Sequence, residues 1–384
     1  MAVSVREVAE DAGVSVGTVS NVLNRPEKVA AETVARVQAS IDRLGFVRND
    51  AARQLRAGRS RTIGLVVLDI RNPFFAEVIR GAEERADQHG LSVLVANSDE
   101  KQEREAMHLD LFEEQRVTGV LVTPVAESLP RLVRMHERGT HAVLVDRESQ
   151  DERFASVAVD DVEGGRIATE HLLAVGRRRI AFVGGPVALR QVSDRLSGAQ
   201  AAAAAAGVGL EFIATSALTV EEGRRAGAQI LDRAAGDRPD AVFAANDLLA
   251  LGLLQSLVMT GDARVPEDIA LVGYDDIDFA AAAVIPLSSV RQPAALIGST
   301  AVDLLLRART TWRPRRSTCC SGRSSSPAAR PPGSDRGQAG VGVERWALAP
   351  RMMRATAVMR KSCPVIPSAM ATACTPDPTG TRLP

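Results

Sequence analysis

Short aliphatic runs alternate with amphipathic stretches over residues 61–306. The runs TIGLVVLD, LSVLVAN, GVLVT and AVLVD are separated by stretches with helical spacing, such as FFAEVIRGAEERADQHG. The alternation starts again after Val157, through IAFVGG, AVFAAN and IALVGYDD. Continuously apolar strands are typical of a parallel sheet that helices cover on both faces. Two such sets predict an α/β body of two Rossmann-like lobes, with a ligand cleft at the carboxyl ends of the strands.

Residues 1–48 carry the pattern of short helices instead. In VREVAEDAGVSVGTVSNVLN, Gly13 separates two helix-length pieces and can take the positive φ of a tight turn. Ala9 is small enough for the helices to cross closely, and Val14 and Val19 fill the angle between them. This spacing predicts an all-α helix-turn-helix head. The alternative is a pair of packed helices with no role in binding nucleic acid.

The second helix of this motif supplies the candidate contacts to DNA. Ser15 is placed to cap that helix, which leaves its exposed side to face the major groove. The DNA-binding candidates in the head are Ser15, Val16, Gly17, Thr18, Ser20, Asn21 and Asn24. Because Val16 and Gly17 have no hydrogen-bonding side chain, base recognition falls to Thr18, Asn21 and a thymine-methyl contact from Val16.

Charge is distributed unevenly, although the formal net charge is zero. Residues 1–60 hold nine basic and seven acidic side chains, residues 61–306 hold 24 and 37, and residues 307–384 hold 14 and three. DNA phosphates repel an acidic body. Contact with nucleic acid is therefore expected in the head.

The sequence lacks the signals that are typical of several other function classes. The charged N-terminus does not fit a secretory signal and no apolar run is long enough for a membrane span, so a cytoplasmic protein with no membrane partner is expected. All four cysteines lie beyond residue 318 without paired metal-ligand spacing, and we expect no metal site. No nucleophile elbow or phosphate-binding GxxxxGK[ST] occurs, so we expect no catalytic residues and no cofactor.

The run from Val3 to Asp69 resembles the lactose-repressor (LacI-type) family of bacterial transcriptional regulators. The motifs are EVAEDAGVSVGTVSNVLN, ETVARVQASIDRLGFVRNDAARQLRAGRSRTIGLVV and then NPFFAEVIRGAE, and the resemblance continues to about Leu306. It implies a third head helix at about 31–44, although Ala30 stands where a capping Ser is common. It also implies a hinge helix at about 49–56.

The resemblance makes two hinge residues DNA-binding candidates, Ala52 and Leu55. It assigns Leu55 the role of an apolar wedge that opens a base step in the minor groove, which is physically reasonable because such a wedge kinks the duplex. The alternative for Leu55 is packing between head and body.

The resemblance also assigns an effector site to the cleft. Its candidates follow predicted strands or begin helices: Asn72, Phe74, Asp146, Arg147, Arg195, Asn246, Asp247, Asp275 and Gln292. Carboxylates accept hydrogen bonds from hydroxyl groups while Arg and Asn donate, so a sugar is the leading ligand class, with purines and nucleosides still open. A stacking face must come from Phe74, Phe75 or Phe279, and Asp247 has a helix cap as its alternative role.

The predicted body is periplasmic-binding-protein-like and follows a DNA-binding head at 1–48 and a hinge and linker at 49–60. Lobe 1 is expected at about 61–156 and 291–306, and lobe 2 at about 157–290. The expected protein is a homodimer, or a higher oligomer, that represses transcription at operator DNA under control of a small effector. The alternatives are a solute-binding protein without a regulatory role and a regulator disabled by its altered C-terminus.

The C-terminal segment 307–384 breaks the pattern. Its Arg, Pro, Ser and Gly content and lack of periodicity predict disorder. Family bodies usually end in a helix, a strand and a last apolar segment, which are missing here. The few lysines indicate a GC-rich gene, so we hypothesise that residues from about 308 are a frameshift product that leaves a sheet edge open. The alternative is a basic tail that adds nonspecific DNA affinity.

Overall fold

The structure is a computed structural model that describes residues 3–46, 60–126, 130–259, 261–311 and 359–360. By its internal contacts the chain divides into two compact units, Met1–Ser60 and Arg61–Pro384. The predicted hinge helix, with Ala52 and Leu55, lies outside the described residues, as does most of the predicted tail.

The first unit is a small helical domain. Its elements are α1 (Val5–Asp11), α2 (Val16–Asn24), a 3-10 helix (Pro26–Lys28) and α3 (Ala31–Leu44). The buried core of these helices includes Val8, Val19, Val22 and Val37. The predicted helix-turn-helix head with a third helix is confirmed.

Local caps set the ends of the head helices. Ser4 and Glu7 form a reciprocal capping box at the start of α1. Gly13 has a φ of +63°, as the turn between α1 and α2 requires. The Ser15 hydroxyl accepts a hydrogen bond from the Thr18 amide at 3.1 Å and so caps α2. Ala30 gives α3 no side-chain cap.

The second unit contains two sheets, of which the first is five-stranded and parallel. Its strands are β1 (Thr62–Val67), β2 (Ser92–Asn97), β3 (Gly119–Val122), β4 (His141–Val145) and β5 (Ala155–Val157), in the order β2-β1-β3-β4-β5. Its helices are α4 (Pro73–Asp87), α5 (Gln102–Glu114) and α6 (Pro130–Glu137). Strands β3 and β4 are fully buried because helices cover both faces.

The second sheet repeats this arrangement. Its strands are β6 (Ile180–Gly184), β7 (Leu210–Ala214), β8 (Ala241–Ala244), β9 (Ala270–Asp275), β10 (Ser288–Arg291) and β11 (Met359–Arg360), in the order β11-β10-β9-β8-β6-β7. Only the two-residue β11 runs antiparallel. Its helices are α7 (Asp161–Ala174), α8 (Arg190–Ala205), α9 (Val220–Leu231), α10 (Asp247–Met259) and the short α11 (Asp278–Ala282), with a 3-10 turn at Ala235–Asp237.

Each sheet has a point where the strand order reverses, between β1 and β3 in the first and between β6 and β8 in the second. Loops that leave neighbouring strands at such a point diverge and open a crevice at the carboxyl edge. The predicted two-lobed α/β body with Rossmann-like parallel sheets is confirmed.

The last long helix, α12 (Ala294–Thr311), returns from the second sheet to the first. It packs on α4 and on strands β3, β4 and β5. Val157 is the last residue of the first sheet and Arg291 the last of β10, close to the predicted lobe boundaries, which stay predictions. Helix α12 also runs past residue 306, where the body was expected to end. None of the helices in the described ranges has the length and apolarity that a membrane span needs.

Two glycines allow α12 to lie close to α4. A Cβ on Gly298 would be 1.9 Å from the Val78 carbonyl oxygen, and one on Gly81 would be 2.0 Å from the Ala295 carbonyl oxygen. Both contacts are with backbone atoms, which cannot move aside as a flexible side chain can. The close approach therefore depends on glycine at both positions.

We expect the substitution Gly298→Ala to lower the free energy of unfolding of the body by about 1–3 kcal/mol, because the new methyl group forces the helices apart. Chemical denaturation of the purified protein measures this change. The matched control is Gly209→Ala, since a Cβ at Gly209 would meet no atom within 4 Å. Equal stability of the two variants would contradict the close helix contact.

Candidate effector cleft and DNA-binding helix

Helix α2 presents the predicted DNA-binding residues on one short element. Val16 is 47% exposed, and Gly17 and Asn21 are also exposed. The Ser15 and Thr18 hydroxyl groups hydrogen-bond to each other at 2.9 Å. Because these two hydroxyls are already paired, Asn21 and Val16 are the side chains best placed to meet base edges.

Two further candidates interact with each other at the end of α2. The Asn24 side-chain amide donates to the Ser20 carbonyl oxygen at 2.8 Å and to the Ser20 hydroxyl at 3.3 Å. These bonds close the last turn of the helix. They give Ser20 and Asn24 a structural role beside the predicted contact with DNA.

A cavity lies where the carboxyl ends of the two sheets face each other. Seven of the nine predicted effector residues line it: Asn72, Phe74, Asp146, Arg195, Asn246, Asp275 and Gln292. The other lining residues are Leu68, Asp69, Phe75, Glu100, Leu189, Gln191 and Leu218. The parallel strands bring these residues together, because each strand delivers its following loop to the same edge.

Direct hydrogen bonds cross the cleft between the lobes. The side-chain amide of Asn72, which lies at the start of α4, donates to Asp275 at the end of β9 at 2.9 Å. The Gln292 side-chain amide donates to the other oxygen of Asp275 at 2.8 Å. On a second path, Gln191 of α8 donates to the Asp146 carboxylate at 3.0 Å. Two carboxylates thus tie the lobes together.

Arg195 is fixed by three separate contacts. Its Nε donates to Asp161 and its Nη1 to the Ala245 carbonyl oxygen, both at 2.8 Å. Its guanidinium carbon lies 3.7 Å from the ring centroid of Tyr274. The residue was expected at a helix start, but α8 begins at Arg190, so Arg195 lies in the second turn.

Burial and mutual repulsion perturb the carboxyl groups around Arg195. Burial, followed by the charge of Asp161, raises the pKa of Asp146 to about 8. Burial also raises the pKa of Asp161 and Asp275, although the charge of Arg195 opposes it. Burial alone would lower the pKa of Arg195, but its attraction to Asp161 outweighs that effect. The site therefore holds more acidic groups than one cation can balance.

Two acceptor atoms at the cleft have no partner. Asp146 Oδ1 and Gln292 Oε1 are buried and accept no hydrogen bond. Asp146 has a φ of +56°, which is unusual for a residue other than glycine. An unsatisfied buried acceptor is costly, and strained backbone concentrates at binding sites. Both features fit a site for a ligand that forms hydrogen bonds.

An apolar wall completes the cavity. Phe74 and Phe75 lie edge to face, with ring centroids 5.0 Å apart. Leu189 and Leu218 also line the cavity. Phe279, the third aromatic residue considered for stacking, is 60% exposed on α11 and does not line it. Of the three aromatic residues considered for stacking, the two on α4 line the cavity.

Two predicted residues lie outside the cavity lining. Arg147 donates to the carbonyl oxygen of Ala126. Asp247 accepts from the Ile277 amide at 2.9 Å and from the Ser289 hydroxyl of β10 at 2.7 Å, so it joins the loop after β9 to β10. The helix-cap role raised as its alternative belongs to Asn246, whose side-chain oxygen accepts from the Leu249 amide at 2.9 Å.

Other residues of the site were not predicted from the sequence. Gln191 and Tyr274 are examples, since a helical Gln and a strand Tyr carry no distinctive motif. Asp161 could have been predicted, because it follows Asp160 at the start of the helix after β5, where a first-turn carboxylate is expected. Asp69 could also have been predicted, because it follows β1 at the carboxyl edge of the sheet. In the described ranges, no cluster of three His, Cys, Asp or Glu residues is arranged to hold a metal ion.

Comparison with known families gives two matches that together span most of the chain. Residues 60–320 match the profile described as periplasmic binding proteins and sugar binding domain of LacI family. Residues 4–49 match the profile described as bacterial regulatory proteins, lacI family. The matched segments contain the head and the two sheets with their cleft.

Individual proteins show the same similarity over nearly their whole length. The chain is 34% identical to the ribose operon repressor of Bacillus subtilis (strain 168) over 303 residues, 79% of this chain and 90% of that protein. It is 33% identical over 307 residues to the HTH-type transcriptional repressor PurR of Aliivibrio fischeri (strain MJ11), with the same coverage. A structure of the lac repressor dimer bound to operator and the anti-inducer ONPF superposes with a TM-score of 0.70 at 29% identity, over 81% of this chain and 93% of that one.

We expect the free energy of unfolding of the body to fall as pH rises toward about 8, because the folded chain keeps a proton on Asp146 that the unfolded chain releases. Below the ordinary pKa of 3.8, Asp146 is protonated in both the folded and the unfolded chain, so its contribution to the free energy of unfolding is fully present. One such group gives a slope of up to about 1.4 kcal/mol per pH unit between about pH 5 and 7. Denaturation at several pH values measures it.

The variant Asp146→Asn tests the assignment, because its amide does not titrate. Its slope over the same range is expected to be smaller than that of the unchanged protein. Equal slopes would show that Asp146 does not carry the proton.

Proposed function

Because this chain belongs to the LacI family of bacterial regulatory proteins, we propose that it is a transcriptional repressor whose affinity for operator DNA is controlled by a small sugar bound in the cleft. The head supplies the contact with DNA and the body supplies the response to the sugar. The names of its relatives support this proposal, since one is a ribose operon repressor and another is a lac repressor bound to operator.

The observation that carries the proposal is the hydrogen bond between Asn72 and Asp275 across the cleft. The two residues belong to different lobes, and both line the cavity. A sugar hydroxyl that bonds to Asp275 competes with Asn72 or adds to the same cluster. Either event changes the free energy of one lobe arrangement relative to the other.

Thermodynamic linkage sets how far the effector can change the affinity for operator DNA. An effector shifts DNA affinity only as far as it prefers one lobe arrangement, and such coupling is typically about 1–3 kcal/mol. This range corresponds to a change of roughly 5-fold to 150-fold in operator affinity. The polar cavity supports the sugar class, because hydroxyl groups satisfy its acceptors while its apolar wall covers a ring face.

A homodimer accounts for apolar side chains that the described body leaves exposed. Leu94 and Val95 on edge strand β2, with Met107 and Leu111 on α5, are 36% to 56% exposed, and we call these four residues the edge patch. A cluster of this kind is typical of a surface that a partner covers. Two heads joined in this way would bind a palindromic operator.

Fluorescence anisotropy tests the regulator with DNA from upstream of its own gene, with and without ribose and other sugars and nucleosides. We expect specific binding that at least one sugar changes several-fold. Asn21→Ala is expected to weaken operator binding by about 10-fold to 100-fold through lost base contacts, without changing sugar binding.

Gln38→Ala on α3 is the control in the head, expected to bind DNA as the unchanged protein does. Gln38 is exposed, and its side-chain amide donates to Asp42 of the same helix at 3.0 Å. Binding no tighter than to random DNA, or the same DNA affinity with every compound, would contradict the proposal.

We expect Leu94→Glu to convert the dimer to monomers, because it places a charge in the edge patch. Analytical ultracentrifugation measures the mass of the protein in solution. Val175→Glu is the matched control, since Val175 is 54% exposed and lies outside the patch. A Leu94→Glu protein that remains dimeric would show that subunits join elsewhere.

A further inference from the structure

Acidic side chains outnumber basic ones among the described residues that line the cleft. Four carboxyl groups line it, on Asp69, Glu100, Asp146 and Asp275. Asp69 forms an ion pair with Arg71, with 2.9 Å between Oδ1 and Nε. In the described part of the chain, no salt bridge joins the other three to a basic side chain. The cleft is therefore acidic in its own right.

Arg195 is the only basic residue among the described residues that line the cavity. Its charge is matched by Asp161 at 2.8 Å, and a second guanidinium nitrogen is held by the Ala245 carbonyl oxygen. Its guanidinium also lies against the Tyr274 ring. The side chain is buried between fixed partners, so it cannot turn to an anion without leaving Asp161 unpaired and buried, which is costly.

The unsatisfied atoms of the cleft also select against an anion. Asp146 Oδ1 and Gln292 Oε1 have no hydrogen-bond partner. A hydroxyl group suits both, because it can donate to Gln292 Oε1 and can accept from the protonated Asp146 carboxyl group. Burial raises the pKa of Asp146 to about 8 and that of Glu100 to about 7, so the site already disfavours its own negative charges. A protonated carboxyl group offers a hydrogen bond but no positive charge.

Helix N-termini attract anions, but those at the cleft do not make it favourable for an anionic ligand. Helices α4, α8 and α10 begin near the cleft. At α4 the side-chain oxygen of Asn72 accepts from the Phe74 amide at 3.0 Å. At α10 the side-chain oxygen of Asn246 accepts from the Leu249 amide at 2.9 Å, and Asp247 places a carboxylate in the first turn. At α4 and α10 these side chains already occupy the sites where an anion would bind.

Helix α8 begins at the cleft without a side-chain cap. Its first-turn Gln191 donates instead to the Asp146 carboxyl group at 3.0 Å. An anion at this helix end would therefore meet Asp146.

We propose that the effector is an uncharged sugar, and that the cleft rejects the phosphate ester or the carboxylic acid of the same sugar. This inference rests on the proposed function, whose effector it defines further. It also places the protein in a reaction sequence: the sensor responds to a sugar before a kinase adds phosphate or an oxidation produces an acid. The phosphorylating reaction removes the signal.

Isothermal titration calorimetry of the full chain tests the inference with matched pairs of compounds. The pairs are ribose with ribose 5-phosphate, glucose with glucose 6-phosphate, and glucose with glucuronate. For a pair whose uncharged member binds, we expect the charged member to bind at least about 100-fold more weakly, because the anion meets unbalanced carboxyl groups. Each titration is repeated with operator DNA present, to connect binding with DNA release or capture.

A charge reversal at the cleft makes the test specific. Glu100→Lys places a cation beside the cavity, and we expect it to raise the affinity for the phosphate ester, relative to the affinity for the free sugar, by about 10-fold or more. Asp268→Lys is the control with the same change of charge. Asp268 is exposed and precedes β9, whereas the cleft lies at the opposite, carboxyl end of that strand. Melting temperatures show that both variants fold.

The outcomes separate this inference from the proposed function. Binding of an uncharged sugar with rejection of its ester, and gain of ester binding only in Glu100→Lys, supports the inference. An ester or acid that binds as tightly as its parent sugar, and changes DNA binding, overturns the inference and leaves sugar control standing. No binding by any member of either class overturns both.

Discussion

The excess of carboxyl groups over cations where the two sheets meet determines how the body works. Asp146, Asp161 and Asp275 lie around one buried guanidinium, that of Arg195. Charges this close are tolerated only when hydrogen bonds and protons compensate for them. The amides that supply those bonds come from both lobes. A compound that enters the cleft therefore alters the bonds that fix how the lobes face each other.

The topology explains why these groups meet. Parallel strands send every following loop to one edge, and two sheets facing each other at that edge form a closed polar site. The same topology keeps the acidic body separate in role from the small helical head. Repulsion between an acidic body and DNA phosphates is consistent with the DNA contact proposed for α2 of the head. The different roles proposed for the head and the body are thus consistent with both charge and fold.

The sequence predicted the elements better than the contacts. The aliphatic runs became the strands, and α3 ends at Leu44, as expected from the family pattern. Strand ends also located most of the cleft, since a side chain after a buried strand can only lie at the carboxyl edge. Arg147 and Asp247 follow the same rule yet turn to backbone or loop partners, because side-chain direction depends on neighbours far away in sequence. Gln191 depends on such a neighbour too, Asp146.

The return of α12 to the first sheet constrains the order in which the body folds during synthesis. Strands β3, β4 and β5 leave the ribosome early, but the helix that packs on them follows β10 in the chain. The second sheet acquires β6 to β10 before α12 has been made. The first lobe therefore exposes an apolar surface while the second is completed, and translation of residues 294–311 is the step that ends this exposure.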